Sequence, residues 1–592
     1  MPIQQLPLAK GLGKDYRNAD YVDLLPVNML ATPKEVLNAS GYLRSFPGLE
    51  KRSDVAGVSR GAEFNTVNSS VYRVAGERIY KAGVEVGNVT GSSRVSMAHS
   101  STSQAVAANG VLTMYRYDGT VKTLQNWPEE VVTPPKSNPV KDWVSTSGTA
   151  ANNKFSVTAE NAVGTFLIKV TPKTSTGASG TLMQITEDMW SATQSQPVST
   201  TAPYITNLKV TGVPNAGTDV TIEYTLNIPS GVTGTNASEF VVTQEIGEVV
   251  TKYPQYDIGS VRDACRARGR YIWVKDGTQT FGVTDLEDES HPDRFRPFYT
   301  AESQPDGIIG CGIWRDFVVM FGSSTIEFFS LTGSAETTAA IYIAQPSLMV
   351  NKGIAGTYCK TEFGDSFAFI SSQATGAPSI YMVSNGQASP IASATVEKVL
   401  RGYTADELST GVLEATRFDG HEILIVHLPR HVMCYDAAAA QNGAQWCILK
   451  TGLADMVHRS IDYMFEGNEI TVGDKISAIT GRLIFDASSQ YGSQAEHLLY
   501  TPMFKADGAR VFDFELEAST GVSQVAERLF ISATADGINY GREQMVGSNA
   551  PFIYDKRVIW RRIGRIRKNI GFKVRVVTKS PVTLSGCSIR LE

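Results

Sequence analysis

Three histidines, His421, His427 and His431, stand close together in this chain of 592 residues. Clustered imidazoles are the usual means of holding a transition metal or passing a proton. The residues between them argue against both roles. Glu422-Ile423-Leu424-Ile425-Val426 has the make-up of a buried strand, and period-two neighbours do not converge on an ion as two histidines one helical turn apart do. The run Asp285-Leu286-Glu287-Asp288-Glu289-Ser290-His291-Pro292-Asp293 gathers acids around one histidine, a composition suited to a carboxylate pair or a calcium loop. Its spacing fits no EF-hand, and a solvated loop or a subunit contact accounts for it more simply. Gly11-Leu12-Gly13-Lys14 lacks both the spacing of a phosphate-binding loop and a preceding strand. The six cysteines (Cys265, Cys311, Cys359, Cys434, Cys447, Cys587) lie far apart without CxxC or Cys/His spacing, so buried thiols are expected rather than disulfides or zinc. No catalytic, cofactor-binding or metal-binding residue is therefore expected.

The sharpest charge feature is of another kind. Between Lys556 and Lys579 stand Lys556, Arg557, Arg561, Arg562, Arg565, Arg567, Lys568, Lys573, Arg575 and Lys579, interleaved with Val558, Ile559, Trp560, Ile563, Ile566, Ile570 and Phe572. Lysine and arginine beside DNA gain affinity by displacing counterions without reading sequence. Arg561, Arg562, Arg565, Arg567 and Lys568 are the candidate contacts to double-stranded DNA or to an acidic partner. Salt bridges between subunits, with the acidic loop near Glu287, are the structural alternative.

The elements that must carry such a stripe are strands. Tyr271-Ile272-Trp273-Val274, the turn Asp276-Gly277 and a short run through Phe281 and Val283 make one hairpin. Phe317 to Phe321, the turn Gly322-Ser323-Ser324 and Thr325 to Phe329 make a second. The unit recurs with anchors at Val71, Ala105, Tyr271, Phe317, Phe367, Ile423 and Ile470, spaced by 34 to 56 residues except for one gap of 166. One four-stranded module per repeat of that length predicts a β-propeller of six or seven blades; a tandem of unrelated hairpins is the alternative. Ser393 to Arg401, with its serine start and Glu397 in the first turn, predicts a helix decorating the blades.

The long gap has its own composition. No arginine occurs between Arg116 and Arg262, and threonine, serine, valine and glycine crowd in. KFSVTAENAVGTFLIKVTP and APYITNLKVTGVPNAGTDVTIEYTLNIPSG alternate at period two between frequent turns, the pattern of an immunoglobulin-like sandwich. After about residue 491 the repeat stops and alternating strands predict a terminal β-sandwich. The expected division is an N-terminal arm (residues 1–60), a first part of the propeller (61–129), an inserted immunoglobulin-like domain (130–250), the rest of the propeller (251–490) and a C-terminal β-sandwich (491–592), all of it β. ISATADGINYG resembles the Asp-box hairpin of sialidase propellers, although Asp536-Gly537 also reads as a plain β-turn.

A length of 592 residues with 42% hydrophobic and 19% charged residues describes a globular protein of several domains. The net charge of -5 excludes a chain that coats nucleic acid with its whole surface. The opening MPIQQLPLAKGLGKDY lacks the apolar core of a secretory signal, and no run of 18 apolar residues occurs. Folding in a cytoplasm and no membrane-spanning segment are expected.

Several long stretches resemble one known family. MPIQQLPLAKGLGKDYRNADYVDLLPVNMLATPKE with GYLRSFPGL, DLEDESHPDRF with AESQPDGIIG and FGSSTIEFFSLTG, and VTKSPVTLSGCSIRLE are similar to the packaged-DNA stabilisation protein, or tail hub (nozzle), of short-tailed bacteriophages, the podoviruses. The likeness covers nearly everything except the arginine-free segment, where a departure from the family is expected. It implies a virion protein of the viral tail without enzymatic activity, assembled in the host bacterial cytoplasm. It further implies a homo-hexamer below the portal and its adaptor (head-to-tail) protein, closing the channel on packaged DNA with the tail needle, helping to seat tailspike trimers, and forming the conduit for genome ejection. The Asp-box-like hairpin and the sandwich insertion keep a second class open, a glycan-binding or glycan-processing propeller.

Overall fold

The computed structural model describes residues 3–8, 11–15, 20–34, 41–133, 136–144, 153–159, 166–173, 182–184, 193, 195–201, 204–211, 220–227, 238–246, 249–332, 340–384, 386–442, 445–523, 527–547 and 551–592. Seven antiparallel sheets follow one another among these residues. Their innermost strands are Ser59–Asn65, Ser96–His99, Val261–Ala267, Ile308–Trp314, Lys360–Phe363, Val412–Phe418 and Ser460–Glu466, and they number blades one to seven. All seven sequence anchors fall on the second strand of a blade, so the expected six or seven blades resolve to seven.

The runs of consecutive apolar residues have a simple origin. Side chains alternate along a strand, and a blade is covered on both faces, so both sets must be apolar. In blade three, Tyr271 and Trp273 pack with Leu112 and Met114 of blade two, while Ile272 and Val274 pack with Val318 and Met320 of blade four. Val319 and Phe321 in turn meet Phe367 and Phe369 of blade five. Gly282 stands opposite Trp273 in the ladder, where a Cβ would lie 2.1 Å from the indole; only glycine leaves room for that ring.

The ring is closed by the other end of the chain. Gly48–Asp54 pairs with Ile479–Ile484 and supplies the outermost strand of blade seven, with Leu49 buried in the core between blades six and seven. The segment read as an arm is thus ordered by what it packs on. Met29–Thr32 and Tyr42–Ser45 join a second body, the C-terminal sandwich. One of its sheets runs Met29–Thr32, Tyr42–Ser45, Thr583–Leu591, Arg510–Ala518, Val558–Arg565; the other runs Ala495–Tyr500, Asn569–Thr578, Arg528–Thr534, Gln544–Gly547. Phe514, Trp560 and Phe572 fill the space between them.

The expected helix is Ala394–Arg401, in the chain between blades five and six. Ser393 Oγ accepts from Val396 N at its start, and Val396 and Leu400 are buried. Among the described residues no helix is long and apolar enough to cross a membrane.

Residues 127–255 form a separate compact unit. Glu130–Thr133 pairs with Val249–Lys252 as a two-stranded stem. Beyond it, one sheet orders Lys136–Val144, Ser238–Ile246, Phe166–Lys173, Leu182–Gln184 and another Asn153–Ala159, Val220–Asn227, Tyr204–Thr211.

Candidate functional site

Val558–Arg565 is the last strand of its sheet and pairs with Arg510–Ala518. An edge strand offers unpaired backbone groups, which proteins guard with charge and bulges. Both devices are present. Phe512 alone faces Arg562 and Ile563 of the edge strand, between the pairs Asp513–Arg561 and Val511–Gly564, and Arg562 adopts φ 60° there, a bulge that redirects the arginines.

The basic residues divide by their surroundings. Arg557 forms a forked pair with Glu515 (Nε 2.7 Å, Nη2 2.6 Å) and holds that carboxyl below its usual range. Arg575 does the same with Glu543 (2.9 and 2.6 Å). Arg561, Arg562, Arg565, Arg567 and Lys568 are all exposed and make no ion pair among the described residues; Arg565 Nε donates to Gly508 O at 3.2 Å. Asp513, opposite Arg561, lies 3.7 Å from Arg590 instead. Arg510, the ladder partner of Arg565, is exposed as well and adds a charge to the patch. Nothing in the local sequence flagged it, because the pairing is set by the fold.

The histidines do not converge. His421 Nδ1 is 2.6 Å from Asp436 Oδ2, His427 Nε2 is 2.6 Å from Glu414 Oε1, and His431 Nδ1 is 2.7 Å from the Tyr403 hydroxyl. Burial, with Lys475 and Arg94 nearby, keeps His427 neutral by pushing its pKa well down. The acidic loop is a staple between blades. Lys122 donates to Asp288 at 2.8 Å and Ser100 and Thr102 donate to Glu289 at 2.9 and 2.5 Å, joining blade two to blade three. Against the upward push of burial, hydrogen bonds from Lys122 and Ser290 draw Asp288 down to about 2. Arg270 takes Asp293 at 2.6 Å, and Arg294 takes Glu287. Among the described residues no group of three or more His, Cys, Asp or Glu could hold a metal ion. Asp536 accepts hydrogen bonds from Ile538 N and Asn539 N at 2.9 and 2.8 Å, and these hold its carboxyl well below the usual range. It caps a turn of the sandwich rather than of a blade.

The axis of the propeller is crossed by charge. Bulges at the start of innermost strands, between Val261 and Asp263, Ile308 and Gly310, and Ile461 and Met464, aim side chains inward. Lys360 Nζ of blade five meets Asp263 Oδ2 of blade three at 2.9 Å, passing Gly310 of blade four, where a Cβ would lie 2.8 Å from Lys360 Cε. Arg94 Nη2 reaches Asp462 Oδ1 of blade seven at 2.6 Å, and its guanidinium lies 5.4 Å from the Tyr358 ring centre, just before blade five.

A family model described as "Bacteriophage P22 Gp10, beta-propeller" matches residues 4–159 and 190–488, and one described as "Bacteriophage P22 Gp10, beta-sandwich" matches residues 496–592. The chain is 55% identical over 592 residues, 100% of each sequence, to the tail hub protein gp10 of Salmonella phage P22. The expected departure over residues 130–250 narrows: the relative aligns through the arginine-free segment, and the family model skips only residues 160–189 within it. Two solved structures resemble the chain only loosely. Hsv2 of Kluyveromyces lactis has a TM-score of 0.24 and 9% identity, over 66% of this chain and 97% of its own. An exo-β-1,3-galactanase of Phanerochaete chrysosporium has a TM-score of 0.20 and 7% identity, over 53% and 78%. With propeller and sandwich both matched along its length, the chain belongs to the bacteriophage P22 Gp10 family.

Proposed function

We propose that this protein is the structural hub of a short phage tail. The observation that carries the reading is the 55% identity to a tail hub protein across the whole of both chains. In this role six copies form a ring beneath the portal and its adaptor, close the channel over packaged DNA, hold the tail needle, help to seat tailspike trimers and pass the genome on ejection. The ring is assembled in the host cytoplasm and resides in the virion tail, and the chain acts by shape and contact rather than by catalysis. A closed ring of like subunits needs a head-to-tail contact that returns on itself, and a propeller whose blades bury both faces is a stiff body on which to build one.

The conduit in this reading runs outside each propeller, because the blade axis is crossed by the Lys360–Asp263 and Arg94–Asp462 pairs. The exposed edge Arg561, Arg562, Arg565, Arg567 and Lys568, with Arg510, is a surface on which passing double-stranded DNA is held without sequence preference. The glycan-processing alternative loses one of its two motives, since Asp536 is spent on a turn in the sandwich. The test is reconstitution: the purified chain is added to DNA-filled, adaptor-bearing heads that lack it. Six-fold rings at the portal vertex and DNA protected from nuclease are expected. Heads that bind no ring, or that leak DNA with the ring in place, would overturn the reading.

A further inference from the structure

A cavity of about 450 Å³ opens among blades six, seven and one, at the end of the propeller where the innermost strands begin. Its floor is cationic and its walls are apolar. Lys475 Nζ lies 3.1 Å from His427 Nδ1, and Arg94 lines the floor beside it. Val412, Leu428, Pro429, Val457 and Ile476 form the walls.

The carboxylates around this floor are already engaged. Asp462 accepts from Arg94 at 2.6 Å and from Ser59 at 2.6 Å. Asp474 accepts from Arg459 at 2.5 Å. Glu414 meets His427 at 2.6 Å and accepts from Tyr463 N at 2.9 Å. Lys475 makes no ion pair among the described residues, although it is half-buried. A half-buried ammonium with no carboxylate at ion-pair distance is an arrangement that an incoming anion completes.

We infer that this cavity binds a carboxylate carried on an apolar group, with the carboxylate on Lys475 Nζ and the apolar body against Val412, Leu428, Pro429 and Val457. A phosphate fits less well. Arg94 is committed to Asp462, Glu414 and Asp462 repel a second negative charge, and the lining hydroxyls of Ser59 and Thr410 already donate to Asp462 and to Glu407 O. The volume lies within the range of small-ligand pockets, roughly 300–1,000 Å³. Burial holds Lys475 down at about 8; Glu414, Asp462 and Asp474 raise it and Arg94 lowers it. His427, His458, Arg73 and Arg459 are the other titratable groups packed around it. A bound carboxylate raises the lysine, so binding takes up protons above pH 8 and weakens as the pH rises further.

The test uses the full chain and titration calorimetry with N-acetyl-leucine, its methyl ester, a short peptide ending in leucine, and the same peptide amidated. Saturable 1:1 binding of the two free carboxylates is expected, with the ester and the amide weaker by at least about tenfold. A tighter peptide than free acid assigns the site to a protein chain end, and the reverse order to a free acid. Lys475→Met is expected to abolish binding and Lys475→Arg to retain it. If Lys475→Met does not fold, Leu428→Trp, which fills the cavity and leaves the lysine, is expected to abolish binding instead. No saturable binding to the parent chain, equal binding of acid and ester, or unchanged binding in Lys475→Met or Leu428→Trp would each overturn the inference.

Discussion

Lys360 Nζ stands 2.9 Å from Asp263 Oδ2, so blade five is tied to blade three past the blade between them. Asp263 also accepts from Cys311 N of blade four at 2.9 Å. One carboxylate therefore serves three blades. The side chains are 14% and 3% exposed, which places the pair where removing one partner strands the other. Asp263→Ala is expected to lower the unfolding free energy by about 3–5 kcal/mol, and Asp263→Leu with Lys360→Met to recover most of it. Urea titration at neutral pH measures both; a single-variant loss below about 1 kcal/mol would show that the pair does not hold the blades.

Closure of the ring rests on Leu49, 1% exposed between blades six and seven. Leu49→Ala is expected to cost about 2–5 kcal/mol, the range for an aliphatic side chain deleted from a packed core. Val84→Ala, on the exposed outer strand of blade one, is expected to change stability by less than about 0.5 kcal/mol. Equal effects of the two in thermal unfolding would mean that the N-terminal strand contributes nothing to closure.

His497 carries a pH dependence. Burial lowers its pKa from 6.5 to about 4, partly offset by its hydrogen bond to Asn28 O. The unfolded chain therefore binds the proton more readily, and the stability due to the neutral ring, complete above pH 6.5, is lost as the pH falls towards 4. The shift corresponds to up to about 3 kcal/mol. His497→Asn keeps a donor near Asn28 O and removes the titration, so its melting temperature is expected to fall less than that of the parent between pH 6.5 and 4. Parallel melting curves across that window would refute the assignment.

The basic edge strand predicts a salt dependence. If the proposed DNA contacts hold, Arg561→Glu with Arg565→Glu removes two of them and is expected to flatten the plot of log affinity against log salt for double-stranded DNA by about 2. Both residues are exposed, so thermal stability is expected to stay within about 0.5 kcal/mol. An unchanged slope, together with normal ring assembly, would remove both the DNA role and the partner role from this strand.

Local chemistry was legible in the sequence wherever local chemistry decides the structure. The run Tyr271 to Val274 announces a strand covered on both faces, and Ser393 announces a helix start, because each signal is contained in a few neighbouring residues. The composition of residues 130–250 in the same way sets apart most of the unit that spans residues 127–255. Features joined across the chain were silent. Nothing near Gly48–Asp54 tells that its partner is Ile479–Ile484, and nothing near Asp263 points to Lys360, since a bulge of one residue and the absent side chain of Gly310 bring them together. The basic stripe was visible as composition, but its division into paired and unpaired charges depends on Glu515 and Glu543, and the arrival of Arg510 beside Arg565 depends on the ladder.

The strand Gly48–Asp54 is made early, and the ladder it completes is made roughly 430 residues later. At about 5–20 residues per second on the ribosome, it waits roughly 20–90 s without its strand partner. Lys51, Arg52 and Asp54 in that strand are exposed in the finished blade, and the same charges keep the waiting segment from pairing with another nascent chain.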